Sequence, residues 1–216
     1  MNNLQKRILT SLVIFPLSIF FIFKGGYILL SFLLSIFFIA NYELFSVFMK
    51  NLNILFLNLI LILALFSIYY LAENSFWLLL WIIILVICSD VGGYVFGKIF
   101  KWKKLTNISP KKTVSGVLGS FIFSLFSVFI IQLVIQILYT STFKDNFLVP
   151  EFFFLAIFFS LFAQAGDLTI SYFKRLEKIK DIGKILPGHG GILDRIDGLM
   201  FVVIATFVFY KLDFIP

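Results

Sequence analysis

Seven long apolar runs separated by short polar breaks leave this chain few folds to choose from. They are Ile8–Phe23, Tyr27–Met49, Leu52–Leu71, Phe76–Phe96, Val117–Tyr139, Phe152–Ile170 and Ile196–Phe209. Most reach the roughly 17–25 residues that a helix needs to cross a hydrocarbon layer. Backbone groups in lipid must bond within their own segment, so runs of this kind predict α-helices. The expected fold is all-α, a polytopic transmembrane helix bundle of about seven spans. Only 13% of the residues are charged, against roughly 25% in an ordinary soluble domain. The opening segment imitates a signal peptide but lacks an A-x-A-like cleavage site, which predicts an uncleaved first helix. No internal repeat or linker divides the chain, so 1–216 reads as a single integral-membrane domain. Within it, 1–75 supplies generic spans and 76–216 the portion that carries chemistry.

Charge orients this bundle. With the N-terminus in the cytoplasm, fifteen of the eighteen cations fall on the cytoplasmic side, and only Lys24, Lys144 and Lys211 fall outside. That is the positive-inside pattern. It accounts for the net charge of +7 with the lipid bilayer as partner and no nucleic acid. The 31 phenylalanines are scattered through every apolar run, which favours lipid-facing bulk over an aromatic ligand box. A lone Cys88 excludes an intrachain disulfide and a lone His189 excludes a multi-histidine metal site. Any metal is then a hard, oxygen-bound cation such as Mg²⁺.

Two basic loops, Gly97–Gly116 and Ser171–Arg195, are expected to form an active site at the cytoplasmic edge. The 34 residues from Gln164 to Asp197 hold five of the eleven acids, six of the eighteen cations and the only histidine. Asp90 lies near the end of the fourth run, and a carboxylate inside a membrane is expensive unless it is paired or solvated. The plainer reading makes it a helix-packing residue. The loop after it carries Ser109, Lys111, Lys112 and Thr113, hydroxyls and point charges suited to phosphate. It is not a Walker A motif, because the glycine spacing is absent. On a continuing helix, Gln164, Asp167, Ser171 and Lys174 or Arg175 share one face. Asp194, Arg195 and Asp197 open the last run; either acid alone suits a helix N-terminus, but two exceed what capping needs. His189 remains open between a phosphate donor, an orienting group and a turn residue. Together these groups suit phosphoryl or nucleotidyl transfer, in which positioning and charge neutralisation do most of the work.

The sequence S-Y-F-K-R-L-E-K-I-K-D-I-G-K-I-L-P-G-H-G-G-I-L-D-R-I-D resembles the signature of phosphatidate cytidylyltransferases, or CDP-diacylglycerol synthases. Ser171, Lys174, Arg175, Lys180, Asp181, Pro187, His189, Gly190, Gly191, Asp194, Arg195 and Asp197 fall on its pattern. Gly166-Asp167-Leu168 and the segment Asp90 to Thr113 resemble other regions that the family shares. The pattern departs at Val114 and Ser115, where the family usually has an aromatic residue and an acid. The resemblance implies transfer of the cytidylyl group of CTP to phosphatidic acid, giving CDP-diacylglycerol and diphosphate. It implies Mg²⁺ held by Asp167 and Asp194, with a monovalent cation such as K⁺ as an optional second ion. Asp167, Asp194, Asp197, Lys174 and Arg175 are then the catalytic group. Asp90, Ser109, Lys111, Lys112, Thr113, Ser171, Lys180, His189 and Arg195 are the substrate-binding group. It further implies a bacterial-type inner or plasma membrane with the site facing the cytoplasm. Families of this type are often homodimers, and no residue here marks an interface. Two rivals stand beside it. A CTP-dependent lipid-alcohol kinase would release CDP instead of diphosphate, and a cation transporter would use Asp90 and Asp167 at the midplane.

Overall fold

The computed structural model describes residues 3–48, 51–106, 109, 112–138, 147–183, 185 and 190–215. Seven helices form among them: α1 (Asn3–Lys24), α2 (Gly26–Val47), α3 (Asn51–Asn74), α4 (Phe76–Phe100), α5 (Val114–Leu138), α6 (Pro150–Leu176) and α7 (Leu193–Lys211). Each overlays one of the seven apolar runs, since an apolar run has no better way to satisfy its backbone. Five of them, α2 to α6, are long and apolar enough to cross a membrane. In α1 the apolar helix is the shorter Leu12–Lys24, and α7 opens on Asp194, Arg195 and Asp197. Spanning by α1 and α7 thus remains an expectation of the sequence.

The most extensive helix pairings are α4 with α5 and α6 with α7, and α3 lies along α7. Association in an apolar solvent relies on close packing and interhelical hydrogen bonds rather than on expelling water. Both devices appear here. Gly92 and Gly119 face each other where α4 crosses α5, and a methyl group on either would strike the other's carbonyl oxygen. Below that crossing, Ser120 Oγ donates to the Ser89 carbonyl at 2.8 Å and the Ser89 and Ser160 hydroxyls bond at 2.8 Å. Trp81 Nε1 donates to Ser127 Oγ at 3.1 Å. These bonds tie α4, α5 and α6 into one polar seam.

The phenylalanines divide in a way their even scatter conceals. Phe38, Phe45 and Phe154 are exposed, as lipid-facing bulk should be. Phe147, Phe152 and Phe159 are buried instead and surround the fully buried Trp81 at ring separations of 5.9, 5.1 and 6.1 Å. The expectation of lipid-facing bulk therefore holds for only part of the set. Ring-edge contacts add to area burial, so these three form an interior aromatic cluster with Trp81.

Two junctions align the helix ends. The α1–α2 turn needs Gly25 at φ 61°, and the Gly26 N–H donates to Glu73 Oε1 at 2.6 Å. Between α4 and α5, Leu105 N donates to the Lys112 carbonyl at 2.8 Å and Val114 N to the Lys103 carbonyl at 3.0 Å. That antiparallel pinch, Lys104 opposite Thr113, returns the chain directly onto the start of α5.

Candidate active site

Where α4 ends and α5 begins, a cavity of about 380 Å³ opens among α4, α5, α6 and α7. Eight of the residues expected from sequence line it: Asp90, Lys112, Thr113, Asp167, Lys174, Asp194, Arg195 and Asp197. They come from α4, α6, α7 and the loop that leads into α5, and two glycine crossings bring them together. At the first, Gly93 and Gly116 lie close enough that a Cβ on Gly116 would sit 2.9 Å from the Gly93 oxygen. This sets Asp90 on α4 opposite the start of α5. At the second, a Cβ on Gly166 would sit 2.7 Å from the Asp197 oxygen, and one on Gly198 3.1 Å from the Ala163 oxygen. The neighbours of those two glycines are Asp167 and Asp197, whose carboxylates approach within hydrogen-bonding range. The pairs Gly166-Asp167 and Asp197-Gly198 thus work as units: the missing side chain lets the helices touch, and the adjacent acids meet.

The cations are set by similar local devices. Thr113 precedes α5, and its Oγ1 accepts the Gly116 N–H at 3.1 Å, an N-cap that satisfies one of the helix's free donors. This anchors Lys112, whose Nζ lies 2.5 Å from Asp167 Oδ2 and 3.4 Å from the Gln164 carbonyl oxygen. Lys174 is only 8% exposed, and its Nζ donates to Asp194 Oδ1 at 2.9 Å. The other Asp194 oxygen accepts N–H groups from Ile182 at 2.8 Å and Gly191 at 3.0 Å. Asp194 therefore has a partner at each oxygen. It joins α6, the connecting loop and the first turn of α7.

The resemblance implies a metal at Asp167 and Asp194, and both line the cavity. Asp167 lies beside Asp197, and Asp194 is engaged by Lys174 and two backbone donors. The reason is register. Asp197 lies one turn further into α7 than Asp194, at the level of the Gly166 crossing. Among the described residues no cluster of three metal-type ligands is assembled. The donor set is two facing carboxylates, with Asp90, Asp181 and Asp194 also lining the cavity. Mg²⁺ is commonly held by one or two carboxylates plus substrate phosphates, so these donors fit it chemically.

The remaining expectations separate. The face predicted for α6 continues past Asp167, since the helix runs to Leu176. Of the two alternatives on that face, Lys174 is buried on the cavity, whereas Arg175 is exposed and its Nη1 donates to the Ile179 carbonyl at 2.8 Å. Ser109 belongs to the loop turn, accepting the Lys112 N–H at its carbonyl at 3.0 Å. Neither Ser109, Ser171, Arg175 nor Lys180 lines the cavity. Lys111 and His189 lie outside the described residues.

Two features escape the sequence reading. Ser120 and Tyr94 line the cavity but sit in runs with nothing to set them apart. Glu43, in the middle of the generic N-terminal portion, is 1% exposed and accepts the Ile192 N–H at 2.9 Å. An intramembrane acid is a functional signal wherever it occurs. The reasoning that flags Asp90 applies equally to Glu43.

Comparison with known proteins follows the same outline. Residues 51–213 match the model of the Cytidylyltransferase family. Proteins named phosphatidate cytidylyltransferase from Staphylococcus saprophyticus and from Staphylococcus aureus strain COL are 44% identical to this chain over 127 and 126 residues. One of the same name from Staphylococcus haemolyticus is 40% identical over 126 residues. Each match takes in 58% of this chain and 45% of the relative, so it spans about half the length of these relatives. The family model alone extends over most of the chain, including every residue of the cavity, and by that measure the chain is a member of the Cytidylyltransferase family.

Proposed function

We propose that the protein transfers the cytidylyl group of CTP to phosphatidic acid, releasing diphosphate and forming CDP-diacylglycerol. The observation that carries this reading is the cavity itself. Five aspartates and three cations converge at the end of apolar helices, within a chain of the Cytidylyltransferase family whose relatives bear the name of this reaction. A phosphatidate oxygen attacks the α-phosphorus of CTP; the bond from that phosphorus to the bridging oxygen of the β-phosphate breaks, and diphosphate leaves. Charge accumulates on phosphate oxygens throughout, and preorganised cations stabilise it best where water is scarce. Lys112 and Arg195 supply that charge from the loop and from α7. Lys174, held at Asp194, adds to it from α6. Asp167 and Asp197, with Asp90 in the same cavity, would hold Mg²⁺. When bound, Mg²⁺ supplies Lewis-acid polarisation of phosphoryl oxygens.

On this reading the membrane is a bacterial-type inner or plasma membrane, with the site at its cytoplasmic face. The basic loops would then lie inside, as the charge distribution predicts. Lipid would enter from the side and nucleotide from the aqueous end. The test is incubation of detergent-purified protein with CTP, Mg²⁺ and phosphatidic acid. Equimolar diphosphate and CDP-lipid, both lost in Asp167→Asn, are expected. CDP without diphosphate would replace the reading with a lipid kinase, and no turnover by folded protein would overturn it.

A further inference from the structure

Glu43 sits on α2, outside the stretch that matches the family model, yet its carboxylate is surrounded by backbone of the site. Its two oxygens accept the Ile192 N–H at 3.1 and 2.9 Å, and Oε2 also receives the Leu193 N–H at 3.4 Å. These are donors that α7 leaves unsatisfied at its start, and α7 has no side-chain cap of its own from Ile192. The same carboxyl group fills the space beside Gly183 and Gly191, where a Cβ on either would run into it. Two backbone segments of the connecting loop therefore close around one buried acid. An anionic group at a helix N-terminus is favoured by the dipole, and being 1% exposed it has little competition from water.

The residues that follow those donors are the ones that matter. Asp194, Arg195 and Asp197 come immediately after Ile192 and Leu193, and all three line the cavity. We propose that Glu43 is a positioning residue: it caps α7 from another helix and packs against the backbone at Gly183 and Gly191, setting the register in which α7 presents its charged residues. The inference rests on the proposed reaction for its kinetic consequence, but not for the cap. Glu43 touches no cavity-lining side chain through a hydrogen bond of its own. Its action is through the backbone.

Two variants perturb this contact from opposite sides. Glu43→Gln keeps the side-chain volume but removes the charge and one acceptor. Gly183→Ala puts a methyl group where the carboxyl now lies, at a glycine whose φ is not in the left-handed region. Purified wild type and both variants would be compared by hydrogen–deuterium exchange and by steady-state kinetics with CTP and phosphatidic acid. Amides of residues 182, 183 and 190–193 should exchange about tenfold or more faster in each variant, the ratio that follows from losing a hydrogen bond to a charged acceptor. Amides of α4 and α5 should be unchanged. The kcat should fall by roughly ten- to a hundredfold, as misplacement by about 1 Å commonly does. Faster exchange spread evenly over all helices would overturn the proposal and make Glu43 a general packing residue. Local loosening with an unchanged kcat would also overturn it. Inactive wild type would instead remove the proposed reaction, and the exchange pattern alone would decide whether Glu43 holds the start of α7.

Discussion

Replacing Lys174 with methionine isolates the most buried charge pair among the described residues. The ammonium and the Asp194 carboxylate lie 2.9 Å apart, with side chains 10% and 2% exposed. Methionine keeps most of the volume, so the change is electrostatic. Removing one member of a buried pair typically costs about 3–5 kcal/mol, because the other charge is left uncompensated. Asp194 keeps its N–H donors from Ile182 and Gly191, which places the expected cost near the lower bound, about 3 kcal/mol. At roughly 2–4 °C per kcal/mol for a chain of this size, the midpoint should fall by about 6–12 °C. Thermal unfolding of detergent-solubilised protein, followed by tryptophan fluorescence, measures it. Lys174→Met/Asp194→Asn should be much less destabilised than the sum of the two single variants, with a coupling of at least about 1.5 kcal/mol. A midpoint within about 2 °C of wild type, or strictly additive effects, would refute the claim that the pair holds α6 to α7.

Arg175→Ala should cost far less activity than Lys174→Met, since Arg175 is exposed, donates to the Ile179 carbonyl and does not line the cavity; equal losses in kcat/KM would contradict this division of roles. Gly166→Ala forces a methyl group against the Asp197 oxygen and the Phe201 ring. It should cost about 1–3 kcal/mol of stability and a disproportionate share of activity, because Asp167 and Asp197 are drawn apart; unchanged kinetics would show that their approach is not needed. Chelation of divalent cations should abolish turnover and added Mg²⁺ should restore it, and activity persisting in excess chelator would remove the metal from the proposed site. Trp81→Phe deletes the donor to the buried Ser127 and should lower stability by about 1–3 kcal/mol without changing KM for CTP.

Much of this protein is legible in its sequence because a bilayer permits few solutions. An apolar run of membrane length must bond to itself, so the seven runs become seven helices with boundaries close to those expected. Charged residues are costly in such a setting, so those present cluster where they have work or partners. Asp90, Lys112, Asp167, Lys174, Asp194, Arg195 and Asp197 do gather at one cavity. What no spacing revealed was how the acids pair. Asp167 meets Asp197 because Gly166 and Gly198 let α6 and α7 touch at that level, and Asp194, one turn away, turns to Lys174 and the loop. The choice between Lys174 and Arg175 likewise depended on which neighbour of the helix face is buried by α7 and its loop. Glu43 depended on contacts about 150 positions away along the chain. Sequence alone determined that the chain forms apolar helices and which residues are too polar to lie idle among them. Only the tertiary structure decided which charge faces which, because that depends on helix register and crossing points, and these are set by the fit of side chains between helices distant in sequence.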